Sequence, residues 1–340
     1  MDRSPALPEL VWLSDNLCMA LRSGPLVVMA AAALWGTAGT AGVVAGADPV
    51  PLAAARLVLG GAVLAAVAVL ARPREAKSRV ALVRSRNAAP QVAARGLGWG
   101  LVLAAGAVAG YQLCFFAAVQ RTGVAIGTVV AIGSGPVFTG LLSWLIGREP
   151  PSRRWAFATA AAVAGCAVLV GGGAAGGVTG GADPWGIALA LLGGLLYAFY
   201  AVVAARAIGR GIESSVVMGV MFGGAAVIML PVLLVTGAGW LAHPRGLLAT
   251  LYLGCATTAL AYLLYGRGLR TTPVATAATL ALAEPAVAAL LGLVVLGEHL
   301  SPLSWGGLAL LGLSLAAVAV PGRTVAGPVD RAPAHLGSVP

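Results

Sequence analysis

The sequence predicts an all-α membrane protein whose ten transmembrane helices form two inverted five-helix repeats. Three observations predict this fold class. The first is composition, because 59% of the 340 residues are hydrophobic and only 9% are charged, whereas about 25% of residues are charged in an ordinary soluble domain. The second is a series of long apolar segments. The third is a repeat within the chain.

Ten segments rich in Ala, Val, Leu and Gly are each long enough to cross a hydrocarbon core ~30 Å thick, which takes about 20 residues of α-helix. Ten such segments are too many for a soluble domain that has a single transmembrane anchor. The predicted spans are 25–46, 50–71, 97–119, 124–146, 154–172, 185–207, 214–236, 247–269, 273–296 and 302–320.

The chain repeats itself at a distance of 149 residues. That shift aligns an Arg-Thr pair, a proline and a glutamate in matching apolar surroundings: Arg121-Thr122 with Arg270-Thr271, Pro136 with Pro285, and Glu149 with Glu298. We therefore divide the chain into a first repeat, 25–172, a Gly-rich linker, 173–184, and a second repeat, 185–320. Because each repeat has five spans, the second repeat crosses the membrane in the opposite sense.

The positions of the basic residues predict the topology. All but three of the 21 lysines and arginines fall in alternate connections or in the termini. The exceptions are Arg121 and Arg245, in connections on the opposite side, and Arg56, inside a span. By the positive-inside rule, the N-terminal segment 1–24 and a disordered tail, 321–340, are cytoplasmic in a multi-pass protein of the cell membrane.

The net charge of +10 could suggest a nucleic-acid-binding protein. Such a protein needs a contiguous basic face, and basic residues that alternate between loops do not provide one. We therefore expect no nucleic-acid partner.

The sequence also resembles the drug/metabolite transporter superfamily, of the EamA type with two EamA repeats. The motifs that carry the resemblance are Ala33-Leu34-Trp35-Gly36, Tyr111-Gln112-Leu113-Cys114-Phe115-Phe116, Ser134-Gly135-Pro136, Glu284-Pro285-Ala286-Val287 and Leu296-Gly297-Glu298. Their order and duplication cover nearly all of residues 25–320. The resemblance implies a substrate site between the halves, alternating access, and export of metabolites or drugs driven by an ion gradient. The sequence departs from the family pattern in the long basic connection 72–95 and at Cys114.

Glu284 is the leading candidate for a functional group. It lies about twelve residues into the ninth span, hence roughly 18 Å deep at ~1.5 Å per residue. A charge near the centre of a bilayer costs at least ~2.5–3.5 kcal/mol, so acids at this depth are rare and mark substrate or ion pathways. We interpret Glu284 as a proton carrier or as the ligand of a cationic substrate group. The alternative is a buried, protonated acid that fixes helix packing.

Further candidates lie at similar depth in other spans. Arg56 either contacts an anionic substrate group or anchors its helix at the outer interface. Polar-tipped side chains at span depth are Trp35, Tyr111, Gln112, Tyr197, Tyr200, Tyr262 and Tyr265. Of these, Trp35, Tyr111, Gln112, Tyr197 and Tyr262 are predicted to line a substrate pocket, with packing or an interfacial aromatic belt as the alternative for the aromatic residues. Pro136 and Pro285 are expected to kink symmetry-related helices.

Two function classes compete. The sequence favours a secondary active transporter, an exporter of a small metabolite, amino acid or drug that is coupled to protons or another ion. The alternative is a membrane-embedded channel or enzyme without transport coupling. An enzyme should show clustered catalytic residues, and the single deep acid does not form such a cluster, so we expect no enzyme activity.

The sequence indicates no cofactor. The four cysteines and three histidines are scattered, which gives no ground for a metal or redox site. No Gly-x-x-x-x-Gly-Lys-Ser/Thr phosphate loop is present, which argues against ATP-driven pumping. The expected partners are a small-molecule substrate, the lipid bilayer and the coupling ion, and association into a homodimer is left open.

Overall fold

A computed structural model of the chain describes residues 23–45, 48–83, 91–147, 151–173, 183–295, 297 and 299–319. Within these ranges the protein is helical and contains no β-strand. Almost all of the predicted N-terminal segment 1–24, most of the linker 173–184, the tail 321–340, Glu149 and Glu298 lie outside the described residues. The bounds of the predicted domains stay predictions.

The first repeat contains four helices. They are α1, Gly24–Ala45; α2, Pro49–Val83; α3, Gln91–Gly147; and α4, Arg153–Gly173. Helix α2 continues twelve residues beyond the predicted end of its span at residue 71, and α3 begins at Gln91, so most of the predicted basic connection 72–95 is helical. Hydropathy sets the length of a span in the membrane, whereas the helix ends only where its backbone hydrogen bonding ends.

Helix α3 accounts for two predicted spans. Its backbone leaves the helical region at Gly123, where φ is 82° and ψ is 162°, a conformation that glycine adopts readily because it has no Cβ. This break divides the apolar stretch Gly98–Ile146 into spans 3 and 4. With that division, the nine membrane-length apolar helical stretches of the described chain become the ten spans.

The second repeat is more interrupted than the first. Its spans 6 and 7 are α5, Pro184–Gly209, and α6, Ser214–Thr236, which is followed by a 3₁₀ turn, Gly239–Ala242. Span 8 joins α7, Pro244–Leu251, a π-helix, Tyr252–Leu260, and α8, Ala261–Gly268. Span 9 consists of α9, Val274–Leu280, and α10, Ala283–Val295, and span 10 is α11, Pro302–Ala319.

The two repeats interlock about a pseudo-two-fold axis. When spans 1–5 are matched with spans 6–10, the main contacts between spans occur in symmetric sets. Span 2 packs against span 7, and span 5 packs against span 10. Span 1 packs against spans 8 and 9, and correspondingly span 6 packs against spans 3 and 4. Because each repeat has an odd number of spans, this arrangement is an inverted repeat.

Glycines bring the paired spans into close contact. A Cβ on Gly61 of span 2 would meet the carbonyl oxygen of Phe222 in span 7. In the other symmetric pair, a Cβ on Gly165 would lie 2.7 Å from the backbone nitrogen of Leu311. Helices in lipid associate through such small residues, since lipid chains remove the hydrophobic drive for larger side chains to cluster.

Candidate functional site: a polar cavity between the repeats

A cavity of about 60 Å³ lies between the two repeats. Both repeats contribute its walls, with side chains from spans 1–4 of the first and from spans 6, 8 and 9 of the second. The lining residues are Trp35, Arg56, Tyr111, Ala131, Ile132, Pro136, Tyr197, Tyr200, Tyr262, Ala278, Ala281 and Glu284. The cavity has room for a few water molecules in this conformation.

Glu284 enters the cavity where the ninth span is broken. The turn Ala281–Leu282 separates α9 from α10, and Glu284 lies in the first turn of α10. The backbone tightens there, because the Glu284 N–H donates to the Ala281 carbonyl at 3.0 Å, and the next residue, Pro285, has no N–H to donate. A negative charge is favoured at a helix N-terminus by the helix dipole. Half-helix ends of this kind form ion and substrate sites in transporters.

The polar groups of the cavity have few protein partners. Within the described residues, the Glu284 carboxylate accepts no side-chain or backbone hydrogen bond and forms no ion pair. Arg56 lines the same cavity but forms no ion pair with Glu284, and its Nε is buried without an acceptor. The Nε1 of Trp35 is also buried without an acceptor. Because buried polar groups are costly without partners, these groups would be satisfied by water or by a ligand that accepts and donates hydrogen bonds.

Aromatic rings form the wall beside these groups. Two tyrosine pairs join spans 6 and 8: the Tyr200 and Tyr262 hydroxyls are 3.2 Å apart, and those of Tyr197 and Tyr265 are 3.3 Å apart. The Trp35 ring centroid lies 5.0 Å from that of Tyr262. Such a wall presents π faces and hydroxyl groups, which suit a cationic or aromatic ligand.

A comparison with known protein families assigns this chain to one of them. The model of the EamA-like transporter family matches residues 22–171 and again residues 184–320. The chain belongs to the EamA-like transporter family. It is therefore a multi-pass membrane transporter.

Two further comparisons agree with this assignment. The protein called "Uncharacterized transporter YwfM", from Bacillus subtilis (strain 168), is 36% identical over 301 residues, which cover 88% of this chain and 94% of that protein. A solved crystal structure superposes with a TM-score of 0.68 over 87% of this chain and 98% of that one, at 23% identity. At that identity the crystal structure supports the fold alone.

In this EamA-like transporter, the cavity brings together most of the predicted site residues. Six of them line it: Glu284, Arg56, Trp35, Tyr111, Tyr197 and Tyr262. Gln112 is 5% exposed and lines a smaller void of about 10 Å³. This void shares Arg56, Tyr111, Tyr200 and Tyr262 with the cavity. Their roles in binding stay predictions.

The two prolines have different surroundings. Pro136 lines the cavity from a part of α3 whose backbone stays helical. Pro285 is buried in the first turn of α10, after the break at Ala281–Leu282 in span 9. The break at Gly123 is the connection between spans 3 and 4, and the shift of 149 residues aligns it with the connection between spans 8 and 9. The break inside span 9 therefore has no counterpart in span 4, whose backbone stays helical at the matching place.

Some residues at the site were outside the predicted pocket set. Tyr200 and Tyr265 each follow a predicted tyrosine by three residues, which puts them on the same helix face, and that spacing could have identified them. Phe222 packs its ring 3.9 Å from that of Tyr262. An isolated phenylalanine in an apolar span carries no sequence signal for such a position.

Proposed function

We propose that this EamA-like transporter is a secondary active transporter that exports a small metabolite, amino acid or drug by alternating access, coupled to protons or another ion. The observation that carries the proposal is the unpaired carboxylate of Glu284 in a cavity walled by both repeats. Inverted repeats that rock about a central site expose that site to each side of the membrane in turn.

Glu284 supplies the coupling. A carboxyl group in a site of low dielectric takes up a proton more readily than one in water, and it binds either a proton or a cationic substrate group, not both. Release of substrate therefore accompanies uptake of a proton. The cavity holds only a few waters, so the helices around it must separate before a metabolite can enter.

The replacement Glu284→Gln tests the proposal, because it keeps the size of the side chain and removes its ionisation. The purified protein is reconstituted in liposomes and a panel of labelled metabolites and drugs is assayed under an imposed proton gradient. We expect gradient-driven accumulation by the wild type and none by the variant. Glu213→Gln is the matched control, since Glu213 is exposed and makes no capping hydrogen bond at the start of α6.

Undiminished pH-dependent transport by Glu284→Gln would contradict a coupling role. Loss of folded variant protein, measured by size-exclusion chromatography, would instead favour a packing role for Glu284. If the wild type moves its substrate only down the substrate's own concentration gradient and never accumulates it, the channel alternative is favoured.

A further inference from the structure

A second and larger cleft opens at one end of spans 1, 8 and 9. Its volume is about 480 Å³, and its lining residues are Thr37, Thr40, Ala41, Arg245, Leu248, Ala249, Tyr252 and Leu291. Arg245 belongs to the connection that the positive-inside rule places outside the cell. We call this feature the outer cleft.

Spans 1 and 9 are in close contact at Gly36, and the outer cleft lies beyond this contact. A Cβ on Gly36 would lie 2.7 Å from the Glu284 carbonyl oxygen and 2.7 Å from Val287 Cβ. One helical turn farther along, Thr40 of α1 and Leu291 of α10 both line the cleft. The contact at Gly36 therefore separates the outer cleft from the central cavity.

The chemistry of the outer cleft is apolar with one cation at its end. Leu248 is 65% exposed although it lines the cleft, and Thr37 and Tyr252 bond their hydroxyls to each other at 2.7 Å. Arg245 is exposed and forms no ion pair within the described part of the chain. The other basic residue on this side, Arg121, is paired with Asp183 at 3.0 Å.

The backbone next to Arg245 is closely packed. A Cβ on Gly246 would meet the carbonyl oxygen of Trp240, and its next contact would be the Trp240 ring at 2.8 Å. The 3₁₀ turn Gly239–Ala242 is thus held against the start of α7, which sets Arg245 at the outer rim of the cleft. Trp residues commonly lie at the membrane–water interface, which puts this rim at headgroup depth.

We propose that the outer cleft binds an anionic phospholipid of the outer leaflet. The lipid phosphate pairs with Arg245, and an acyl chain lies along Leu248 and Leu291. Charge complementarity selects this occupant, because the cleft joins one unpaired cation to an apolar wall that faces the bilayer. The proposal goes beyond the proposed transport function and does not depend on its coupling.

Native mass spectrometry of the detergent-purified full chain tests the site, with phosphatidylglycerol and phosphatidylcholine added at equal concentration. We expect a preference for phosphatidylglycerol of about fivefold, the affinity change typical of one basic residue near a membrane surface. Arg245→Gln should abolish the preference. Arg210→Gln, which changes an exposed arginine of the opposite side, should keep it.

A second variant tests the apolar wall. Leu291→Trp fills the cleft and should lower retention of both lipids while Arg245 is intact; if that variant does not fold, Ala41→Phe serves the same purpose. The proposal would be overturned if Arg245→Gln kept the preference for phosphatidylglycerol. It would also be overturned if filling the cleft left the retention of both lipids unchanged. Complete displacement of lipid by glycerol 3-phosphate would show a headgroup-only anion site. A dimer that is lost on filling the cleft would show that a second copy of the chain occupies it.

Discussion

Replacing Gly36 with alanine tests the contact between α1 and α10 that separates the central cavity from the outer cleft. The added Cβ would lie 2.7 Å from the Glu284 carbonyl oxygen, whereas ordinary van der Waals contacts begin at 3.4 Å. Helices α1 and α10 must therefore move apart by roughly 0.7 Å, and overpacking of this kind costs about 1–3 kcal/mol. Because Glu284 is in the first turn of α10, the same movement displaces its carboxylate.

Gly39→Ala is the matched control for this replacement. Gly39 is in the same helix, and a Cβ there would meet no heavy atom within 4 Å. Alanine is favoured over glycine in a helix by about 1 kcal/mol, and both variants gain this amount. We therefore expect Gly39→Ala to unfold at or above the wild-type temperature, and Gly36→Ala to be less stable than the control by about 1–3 kcal/mol.

The assay is thermal unfolding of the purified variants in one detergent, followed by transport in liposomes. Slower transport is expected for Gly36→Ala and wild-type transport for Gly39→Ala. Equal melting temperatures and equal transport for the two variants would refute the reasoning, because they would show that the helices do not constrain each other at this contact.

Two further predictions concern the outer side of the protein. The Arg121 guanidinium beside Asp183 holds the pKa of that carboxyl below its usual value, so the stabilisation is present above the unfolded pKa of about 3.9 and is lost as pH falls through the lowered folded value. The melting temperature of the wild type should therefore fall more between pH 6 and pH 3 than that of Asp183→Asn, and equal falls would contradict the role of the pair. For topology, His299→Cys in a Cys-free protein should react with a membrane-impermeant thiol reagent from outside the cell, and Arg210→Cys should react only from inside; the reverse result would exclude cytoplasmic termini.

The sequence was sufficient to predict the spans because transfer of a helix into lipid depends on the summed contributions of its own residues. It also located the break in α3, since Arg121 and Gly123 interrupt the longest apolar stretch between the predicted ends at 119 and 124. It did not locate the end of α2 at Val83. The residues after 71 are too polar for a membrane span, but many of them, including Glu75, Ala76 and Lys77, favour a helix in water.

Part of the site was also predictable, from the cost of placing individual polar residues in lipid. Glu284 and Arg56 were found by their depth. An ionisable group inside a span is costly, so such groups are rare and mark substrate or ion pathways. The tyrosines were found as polar-tipped groups at that depth. Which of them pair, and that Trp35 and Arg56 keep buried nitrogens without acceptors, depends on how the helices are rotated against each other.

The fold class, the duplication and the two ionisable residues at membrane depth, Glu284 and Arg56, follow from the sequence alone. Where the helices touch and where they part, as at Gly36 and in the outer cleft beyond it, depends on tertiary packing. The hydroxyls of Thr37 and Tyr252, 215 residues apart in the chain, meet at 2.7 Å. Such contacts follow from complementary surfaces on distant helices, and hydropathy is a property of each segment alone, so it carries no information about which surfaces meet.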